Sequence, residues 1–388
     1  MILTTPLLER LAREGEVHVV ATPANAAVLT NHPAVASVIV YDKRNADAGV
    51  AGLRRVAAQL RNTRATTAYI AQGSWRSAAL ARLAGVPGVG FDTSAGRWLY
   101  SRRVVYRKDW HHAQRLLALA NDPHGAPIVV PERVRPSLYP GPSDQAPVTA
   151  LLQAAGIRDG EPLIALAPGS VWATKRWPSY DALARELVAL LPHARVVVLG
   201  AAGDAPLAAA IGIAVQQRGG PPIIDATGKL SLLGSAALLS RCAVLVTNDS
   251  APLHLASAMN TPTVALFGPT VPTMGFGPLA DRHAVLGRDA LPCRPCSAHG
   301  GHACPLGHWT CMRDLTASAV GAAVAPMVAP MVSGVGCGRF ALSWVACSAL
   351  IWKTLRSPSS RRTCPFGVTC SSCAVKSGAT SPRRTDML

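Results

Sequence analysis

Short apolar runs alternate with amphipathic stretches along most of the chain. Four runs in the first half are apolar enough to predict buried strands: "VHVVATP", "ASVIVYD", "TAYIAQG" and "GVGF". Between them, residues 49–61 and the segment "SWRSAALARLAG" show the spacing of apolar positions that predicts helices. The first half is therefore expected to be an alternating α/β structure.

The second half repeats this alternation more clearly. Strands are predicted for "LIALAPGS", "ARVVVLGA", "PIIDATG", "AVLVTNDS" and "PTVALFGP", and helices for residues 179–191, 204–218, 231–242 and 251–259. Continuous apolar strands separated by helices predict parallel sheets that are covered on both faces. A proline-rich stretch, residues 126–147, reads as the linker between the halves. We expect two Rossmann-like domains, residues 1–145 and 146–331, that face a cleft with ligands at the carboxyl ends of the strands.

Both ends of the chain depart from this pattern. Thr5 followed by Pro6 predicts that Thr5 caps a helix whose first residue is Pro6. The chain then begins on a helix, and the first parallel strand is expected to be missing. Residues 332–388 are rich in serine and cysteine, basic, and without a sustained period. A disordered tail and a frame-shifted segment are both open interpretations, and the many cysteines favour the second.

Charge and cysteine content narrow the function classes. The 388 residues hold 38 Lys and Arg against 21 Asp and Glu, a formal net charge of +17, but no basic run resembles a nucleic-acid arm. We therefore expect solvated surface charge, with attraction to anionic lipid or phosphate as the second interpretation. No signal peptide or clean apolar span is visible, which predicts a cytoplasmic protein. The ten cysteines are then expected as thiols or metal ligands rather than disulfides.

Two loops carry candidate chemistry. In "APGSVWATKRWP" a strand ends in a small-residue turn at Ser170, followed by Lys175, which suits the approach of an anion. In "TNDSAPLHLASA" a strand runs through Asp249 and Ser250 into a helix that carries His254. This helix start could hold a diphosphate; alternatively, Asp249 or Ser250 caps the helix and His254 packs beneath it. The loops are expected at neighbouring strand ends, together with "TGKLSL", which favours the functional interpretation.

These motifs together resemble the lipopolysaccharide heptosyltransferases of glycosyltransferase family 9. The resemblance rests on "APGSVWATKRWP", "TNDSAPLHLASA" and "CRPCSAHGGHACPLGHWTCM", and extends from Met1 to about residue 331. The cysteine-rich run is most similar to that of the type II enzymes. The resemblance implies a GT-B fold, ADP-L-glycero-D-manno-heptose as donor, and heptosylated Kdo–lipid A at the inner-membrane surface as acceptor. It also implies inverting transfer without a catalytic metal or other cofactor, in a protein that acts as a monomer.

The same resemblance assigns residue roles. Lys175 would stabilise the leaving group, and the donor would contact Ser170, Lys175, Leu230, Asp249, Ser250, Ala251 and His254. Candidates for the acceptor's anionic groups are Arg76, Arg102 and Arg103, with Arg107 and Lys108; solvated surface bases are the alternative for all five. The general-base aspartate of the family is expected just before "LTTPLL" and is not present in this chain. A nucleotide-sugar-binding protein that lacks its base is therefore the second hypothesis.

The cysteine-rich run is a separate candidate. Cys293, Cys296, Cys304 and Cys311 could supply four tetrahedral zinc ligands, although their spacing is not that of a zinc finger. Loosely packed thiols are the alternative. A zinc module that contacts nucleic acid is the weakest hypothesis, because charge runs are sparse, and we expect no nucleic-acid partner.

Overall fold

Parallel sheets of short apolar strands organise the computed structural model, which describes residues 1–120, 130–131 and 133–328. The strands are β1 (His18–Ala21), β2 (Ser37–Val40), β3 (Ala68–Ile70), β4 (Gly88–Phe91), β5 (Arg102–Val104), β6 (Leu163–Ala167), β7 (Arg195–Val198), β8 (Ile224–Asp225), β9 (Val244–Asn248), β10 (Thr263–Phe267) and β11 (His283–Gly287). The α-helices are α1 (Thr5–Leu11), α2 (Pro23–Ala27), α3 (Gly49–Asn62), α4 (Trp75–Leu83), α5 (His112–Leu117), α6 (Pro142–Ala154), α7 (Tyr180–Leu190), α8 (Ala205–Gln217), α9 (Leu232–Ser240), α10 (Ala251–Met259), α11 (Thr310–Arg313) and α12 (Ala317–Val328).

The second half of the described chain, residues 142–328, contains a six-stranded parallel sheet. Its strand order is β11-β10-β9-β6-β7-β8, so the order reverses between β6 and β9. Strands β6, β9 and β10 are buried at every position, which explains why their sequences are mostly apolar. In a doubly wound sheet, the reversal opens a crevice at the carboxyl ends of the two strands. This topology predicts where a ligand would bind before any side chain is considered.

Two apolar cores cover this sheet. One core contains Leu183 and Leu187 of α7, Ile211 of α8, and Val320 and Val324 of α12. The core on the other face joins α6, α9 and α10 to residues of the first half, among them Leu8, Val19 and Leu29. The two halves therefore share a core instead of meeting only through a linker.

The first half, residues 1–141, holds two smaller parallel sheets. Strand β1 pairs with β2, and the other sheet has the order β3-β4-β5. A cavity of about 730 Å³ lies between them and is lined by residues 17–22 and 66–72, which include the β1 and β3 strands. No strand from the described part of the chain fills this gap between β1 and β3.

The structure confirms the parallel α/β architecture and every strand predicted above, and it corrects three details. Sequence reasoning missed β5, which begins with two arginines, and β11, a short edge strand that is only partly buried. Thr5 does not cap α1: it is buried within the helix, its hydroxyl donates to the carbonyl of Ile2 (3.0 Å), and the Thr5 hydroxyl accepts from the backbone N–H of Ser137 (2.9 Å).

The third correction concerns the proline-rich stretch. Its last residues form the start of α6, with Pro142 in the first turn, where proline costs no hydrogen bond, and Pro147 inside the helix. The predicted boundary at residue 145 therefore falls within a helix.

Other sequence expectations concern residues outside the described ranges. The tail at 332–388 and part of the proline-rich stretch, including Pro127, are among them. Within the described ranges, no helix is both long and apolar enough to cross a lipid bilayer.

Candidate functional site

A crevice of about 360 Å³ opens at the carboxyl ends of β6, β9 and β10, where the strand order reverses. It is lined by Ser170, Val171, Trp172, Lys175, Asp249, Ser250, Ala251, His254, Thr270, Val271, Met274, Phe276, Ala298 and His299. The two loops identified from the sequence therefore meet at one place. Of the seven predicted donor residues, this crevice brings together all except Leu230.

A buried ion pair forms the floor of the crevice. The Lys175 ammonium lies 2.6 Å from a carboxylate oxygen of Asp249, and the side chains are only 11% and 10% exposed. The hydroxyl of Thr270, which follows β10, donates to the same oxygen at 2.7 Å. Since an ammonium group has three donors, Lys175 keeps donors for a bound anion while Asp249 fixes its position.

The fully buried side chain of Asn248 holds the two strand ends in register. Its amide nitrogen donates to the carbonyl of Pro168 (2.9 Å), and its amide oxygen accepts from the Trp177 backbone N–H (3.2 Å) and the Tyr180 hydroxyl (3.3 Å). Burial raises the pKa of Tyr180 well above its usual value, so this hydroxyl remains a donor. Asn248 thereby positions the turn after β6, which carries Ser170.

Helix α10 begins at the crevice. Its cap residue, Ser250, makes no side-chain capping hydrogen bond, and Pro252 lies in the first turn. The start of a helix carries unpaired N–H groups and a partial positive charge, which favour an anion. His254 lies one turn further; burial lowers its pKa to about 4, although nearby Asp249 opposes the shift. Its Nδ1 has no hydrogen-bond partner within the described structure, so a neutral imidazole with an unused polar atom lines the crevice.

The cysteine-rich run forms one wall of the crevice. Gly301 exchanges two hydrogen bonds with the Thr174 side chain (3.0 and 2.8 Å), and the imidazole of His302 contacts the Trp172 ring at 5.0 Å between centroids. These contacts place Ala298 and His299 against Lys175 and Ser170. The sequence motif therefore has a structural role next to the predicted donor residues.

The proposed zinc ligands are not gathered into a metal site. Over residues 1–120, 130–131 and 133–328, no group of three or more His, Cys, Asp or Glu side chains is arranged to hold a metal ion. Cys311 is buried, Cys296 is exposed, and the other two cysteines are intermediate. Backbone N–H groups of residues 306–309 lower the pKa of Cys304, whereas burial raises the pKa of Cys311.

Sequence reasoning missed several crevice residues, and one predicted donor residue lies outside the crevice. Thr270, Met274 and Phe276 follow β10, and the motif "FGPT" at the end of that strand was the available signal for Thr270. Leu230 does not line the crevice; it packs against the core beside the start of α9, on the loop that follows β8. The loop after β8 lies at the carboxyl end of the same sheet as the crevice, and β8 is the second strand along from β6.

The candidate acceptor bases do not form one cluster. Arg76 lines the large cavity of the first half and lies over the Trp75 ring at 5.9 Å. Arg102 donates to the carbonyl of Leu119 at 3.0 Å, whereas Arg103, the next residue of β5, lies over Trp98 at 5.5 Å.

Of the two remaining candidates, Arg107 has a side-chain partner and Lys108 makes a backbone contact. Arg107 forms an exposed ion pair with Asp109 at 2.9 Å, and the carbonyl of Lys108 accepts from the Arg115 guanidinium. Of the five candidate acceptor bases, the lining of the first-half cavity contains Arg76 alone.

Fold and site together define a class: a doubly wound α/β protein with an anion-binding crevice at the switch point of its second sheet. The sequence profile of glycosyltransferase family 9 (heptosyltransferase) matches residues 53–307, about two thirds of the chain and both sides of this crevice. The chain belongs to that family.

Curated relatives are similar over part of their length. Lipooligosaccharide heptosyltransferase 2 of Haemophilus influenzae is 30% identical over 155 residues, which cover 39% of this chain and 44% of the relative. Lipopolysaccharide heptosyltransferase 2 of Escherichia coli is 29% identical over 226 residues, which cover 56% of this chain and 64% of the relative. The chain thus matches about half to two thirds of the length of these relatives.

Solved structures show the same fold. The E. coli ADP-heptose lipopolysaccharide heptosyltransferase II superposes with a TM-score of 0.67 at 24% identity, covering 84% of this chain and 95% of that one. A family 9 glycosyltransferase from Veillonella parvula gives a TM-score of 0.69 at 22% identity, covering 84% and 93%. The expected GT-B fold is thereby confirmed.

Proposed function

We propose that this protein transfers L-glycero-D-manno-heptose from ADP-heptose to the heptosyl-Kdo–lipid A inner core of lipopolysaccharide. The observation that carries the proposal is the crevice in which Lys175, Asp249, Ser250 and the start of α10 converge at the switch point. Membership of family 9 and the similarity to type 2 heptosyltransferases support the reaction class and this step. The two domains would divide the work, residues 1–145 holding the acceptor and residues 146–331 the donor.

The donor diphosphate would lie between Lys175 and the start of α10. There the ammonium and the free N–H groups of the first turn face the phosphate oxygens, and Ser170, Ser250 and Ala251 border the same space. The heptose would extend toward Asp249 and His254. The adenine would follow the sheet edge toward Leu230, whose partly buried side chain offers an apolar surface beside α9.

The reaction is an inverting displacement at the anomeric carbon of the heptose. The bond from that carbon to the phosphate oxygen breaks, and a bond to the acceptor oxygen forms on the opposite face. The acceptor proton must pass to a base, the role that the family resemblance gives to an aspartate ahead of "LTTPLL". ADP leaves with one more negative charge on its terminal phosphate than it carried in the sugar nucleotide. Lys175 stabilises this charge more in the transition state than in the ground state, which is how it would accelerate the reaction.

The acceptor would approach from the first half. Arg76 at the cavity and Arg103 on the edge strand β5 are the bases placed to meet its phosphates and carboxylates, with Arg102 beside them. We place the site of action at the surface of the inner membrane, because the proposed acceptor is a lipid.

An ADP-release assay with purified full-length chain tests this proposal. ADP should appear only when ADP-heptose and heptosyl-Kdo–lipid A are both present, and the product should gain the mass of one heptose. An acceptor without the first heptose separates the steps. Preference for that acceptor would assign the protein to the first transfer and overturn the step proposed here.

The Lys175→Met variant tests the role of Lys175 in the reaction. Removal of one electrostatic stabiliser from a transfer site costs about 100-fold to 1,000-fold in turnover. Wild-type turnover in this variant would show that Lys175 does not stabilise the leaving group. Wild-type protein that binds ADP-heptose but transfers nothing to any core acceptor would refute the proposed activity.

A further inference from the structure

Exposed aromatic and aliphatic side chains gather at one edge of the first half. Trp98 is 73% exposed, Val105 65%, Trp75 57% and Leu99 43%. Trp residues are rarely left in water to this extent unless something else contacts them. We call this set, together with Arg97 and Arg103, the Trp98 surface.

The local fold brings these residues together. Residues Arg97–Leu99 form a short 3-10 helix directly before β5, which is the edge strand of its sheet. Gly96 packs against the backbone of Trp75 and the Ala78 side chain, so the 3-10 helix lies on the first turn of α4. A side chain at position 96 would push these two elements apart.

Arginines surround the exposed rings. The guanidinium of Arg97 lies 4.9 Å from the centre of the Trp98 ring and that of Arg103 lies 5.5 Å from it, so two cations flank one indole. Residues 66–110 hold seven Arg and Lys against two Asp, a net charge of +5. The surface therefore combines apolar area with positive charge.

We propose that the Trp98 surface is the face by which this protein docks on an anionic lipid bilayer. Indole rings prefer the headgroup level of a membrane, and each basic residue near an anionic surface adds to the attraction. Arg76 lies over the Trp75 ring and lines the first-half cavity, so docking here would bring the cavity mouth to the lipid headgroups. The purpose of the docking rests on the proposed lipid acceptor, but the binding can be measured without any transfer.

The exposed apolar side chains favour an anionic bilayer over nucleic acid as the occupant. The surface presents two indoles and two aliphatic side chains on neighbouring elements, and apolar side chains of this kind insert between headgroups. Single-stranded nucleic acid also binds arginines and aromatic rings, so it is a separate outcome of the test.

Vesicle co-sedimentation of the full-length chain tests the proposal. The vesicles are neutral phosphatidylcholine, or phosphatidylcholine with about 30% phosphatidylglycerol to give a negative surface potential. The test variant is Arg97→Gln with Trp98→Ser. The control is Arg218→Gln with Ile213→Ser, which removes one exposed base and one exposed apolar side chain from the second half.

We expect the wild type and the control to bind anionic vesicles, with partition that weakens as salt is added. The test variant should partition at least about tenfold more weakly, since one arginine alone contributes about fivefold. Equal binding by the test variant, or no preference for anionic over neutral vesicles, would overturn the proposal, as would displacement by single-stranded DNA at equal ionic strength. Binding to vesicles without heptose transfer would refute only the proposed function.

Discussion

Lys175 and Asp249 depend on each other at the residue scale. Both side chains are about nine-tenths buried, and each would be an uncompensated charge without its partner. The pair therefore fixes the ammonium at the start of α10 before any ligand arrives. Stability and catalysis are both expected to respond when Lys175 is changed, and a second substitution can separate them.

We predict that Lys175→Met lowers the free energy of unfolding by about 3 kcal/mol, because the Asp249 carboxylate is left buried and unpaired. The double variant Lys175→Met with Asp249→Asn should recover most of that stability, since no buried charge remains. It should not recover ADP release. Urea unfolding and the transfer assay measure the two effects on the same preparations, and recovery of both would contradict the role given to Lys175.

His254 makes the fold sensitive to acid. Its pKa is lowered by burial from 6.5 to about 4, so the unfolded chain binds this proton more readily than the native state. Its contribution to stability is therefore complete above pH 6.5 and is lost as the pH falls toward 4. His112, whose pKa burial also lowers to about 4, acts in the same direction.

We predict that lowering the pH from about 7 to about 5 removes about 2 kcal/mol of stability through His254 alone. The variant His254→Gln should show a shallower dependence of unfolding free energy on pH. His193→Gln, a change at an exposed histidine, is the control and should keep the wild-type slope. An unchanged slope in His254→Gln would show that this imidazole titrates normally in the native state.

At the scale of elements, the loop between Cys293 and Cys311 is held by few contacts. The Thr174 hydroxyl donates to the carbonyl of Gly301 and accepts from its N–H, and the Cys296 N–H donates to the carbonyl of Pro269 (2.9 Å). The Thr174 backbone N–H also donates to the carbonyl of Gly301 (3.0 Å), and the Arg294 guanidinium donates to the carbonyl of Thr270 (3.1 Å). These bonds together hold the loop where its residues Ala298 and His299 line the crevice. A weaker attachment of this loop should lower the affinity for ADP-heptose more than it lowers the free energy of unfolding.

Thr174→Val removes both side-chain hydrogen bonds and leaves the shape of residue 174 nearly unchanged. Since a hydrogen bond contributes about 0.5–1.5 kcal/mol, we expect ADP-heptose affinity to fall about threefold to tenfold. Amide hydrogen exchange should rise in residues 297–302. Thr63→Val, which removes a hydroxyl bonded to Leu60 at the end of α3, is the matched control and should change neither quantity. Unaltered exchange in Thr174→Val would show that other contacts hold the loop.

The sequence pattern predicted some strands and loops of the site and missed others. Strands β6, β9 and β10 are buried on both faces and apolar except at Thr247, Asn248 and Thr263, so their positions and the loops after them could be predicted. Strand β5 contains Arg102 and Arg103 at a sheet edge, where burial does not select apolar residues, and no periodic signal marks it. Thr270 and the loop contacts at Thr174 depend on segments distant in sequence, and a single sequence does not encode such pairings as a pattern.

At the scale of the whole molecule, Arg115 links the two halves. Its side chain is 3% exposed and donates to the carbonyls of Arg107 (2.7 Å) and Lys108 (2.6 Å) in the first half. It also donates to the carbonyl of Met274 in the second half at 3.2 Å, beside the residues that line the crevice. The backbone N–H of His112 donates to the carbonyl of Gly275 (2.7 Å), which strengthens the same junction.

We predict that Arg115→Met destabilises the protein by about 3 kcal/mol, because the carbonyls of Arg107, Lys108 and Met274 on the two sides of the junction lose their shared donor. Met274 accepts a hydrogen bond from Arg115, and both Met274 and Phe276 line the donor crevice. We therefore expect the KM for ADP-heptose to rise together with the loss of stability. Arg185→Met is the control, because Arg185 is about 40% exposed and only pairs with Asp181 at 3.4 Å within α7. Unfolding followed by urea and the KM for ADP-heptose are the measurements. Wild-type KM in a clearly destabilised Arg115→Met variant would mean that the crevice is organised entirely by the second half, and that the first half only supports it.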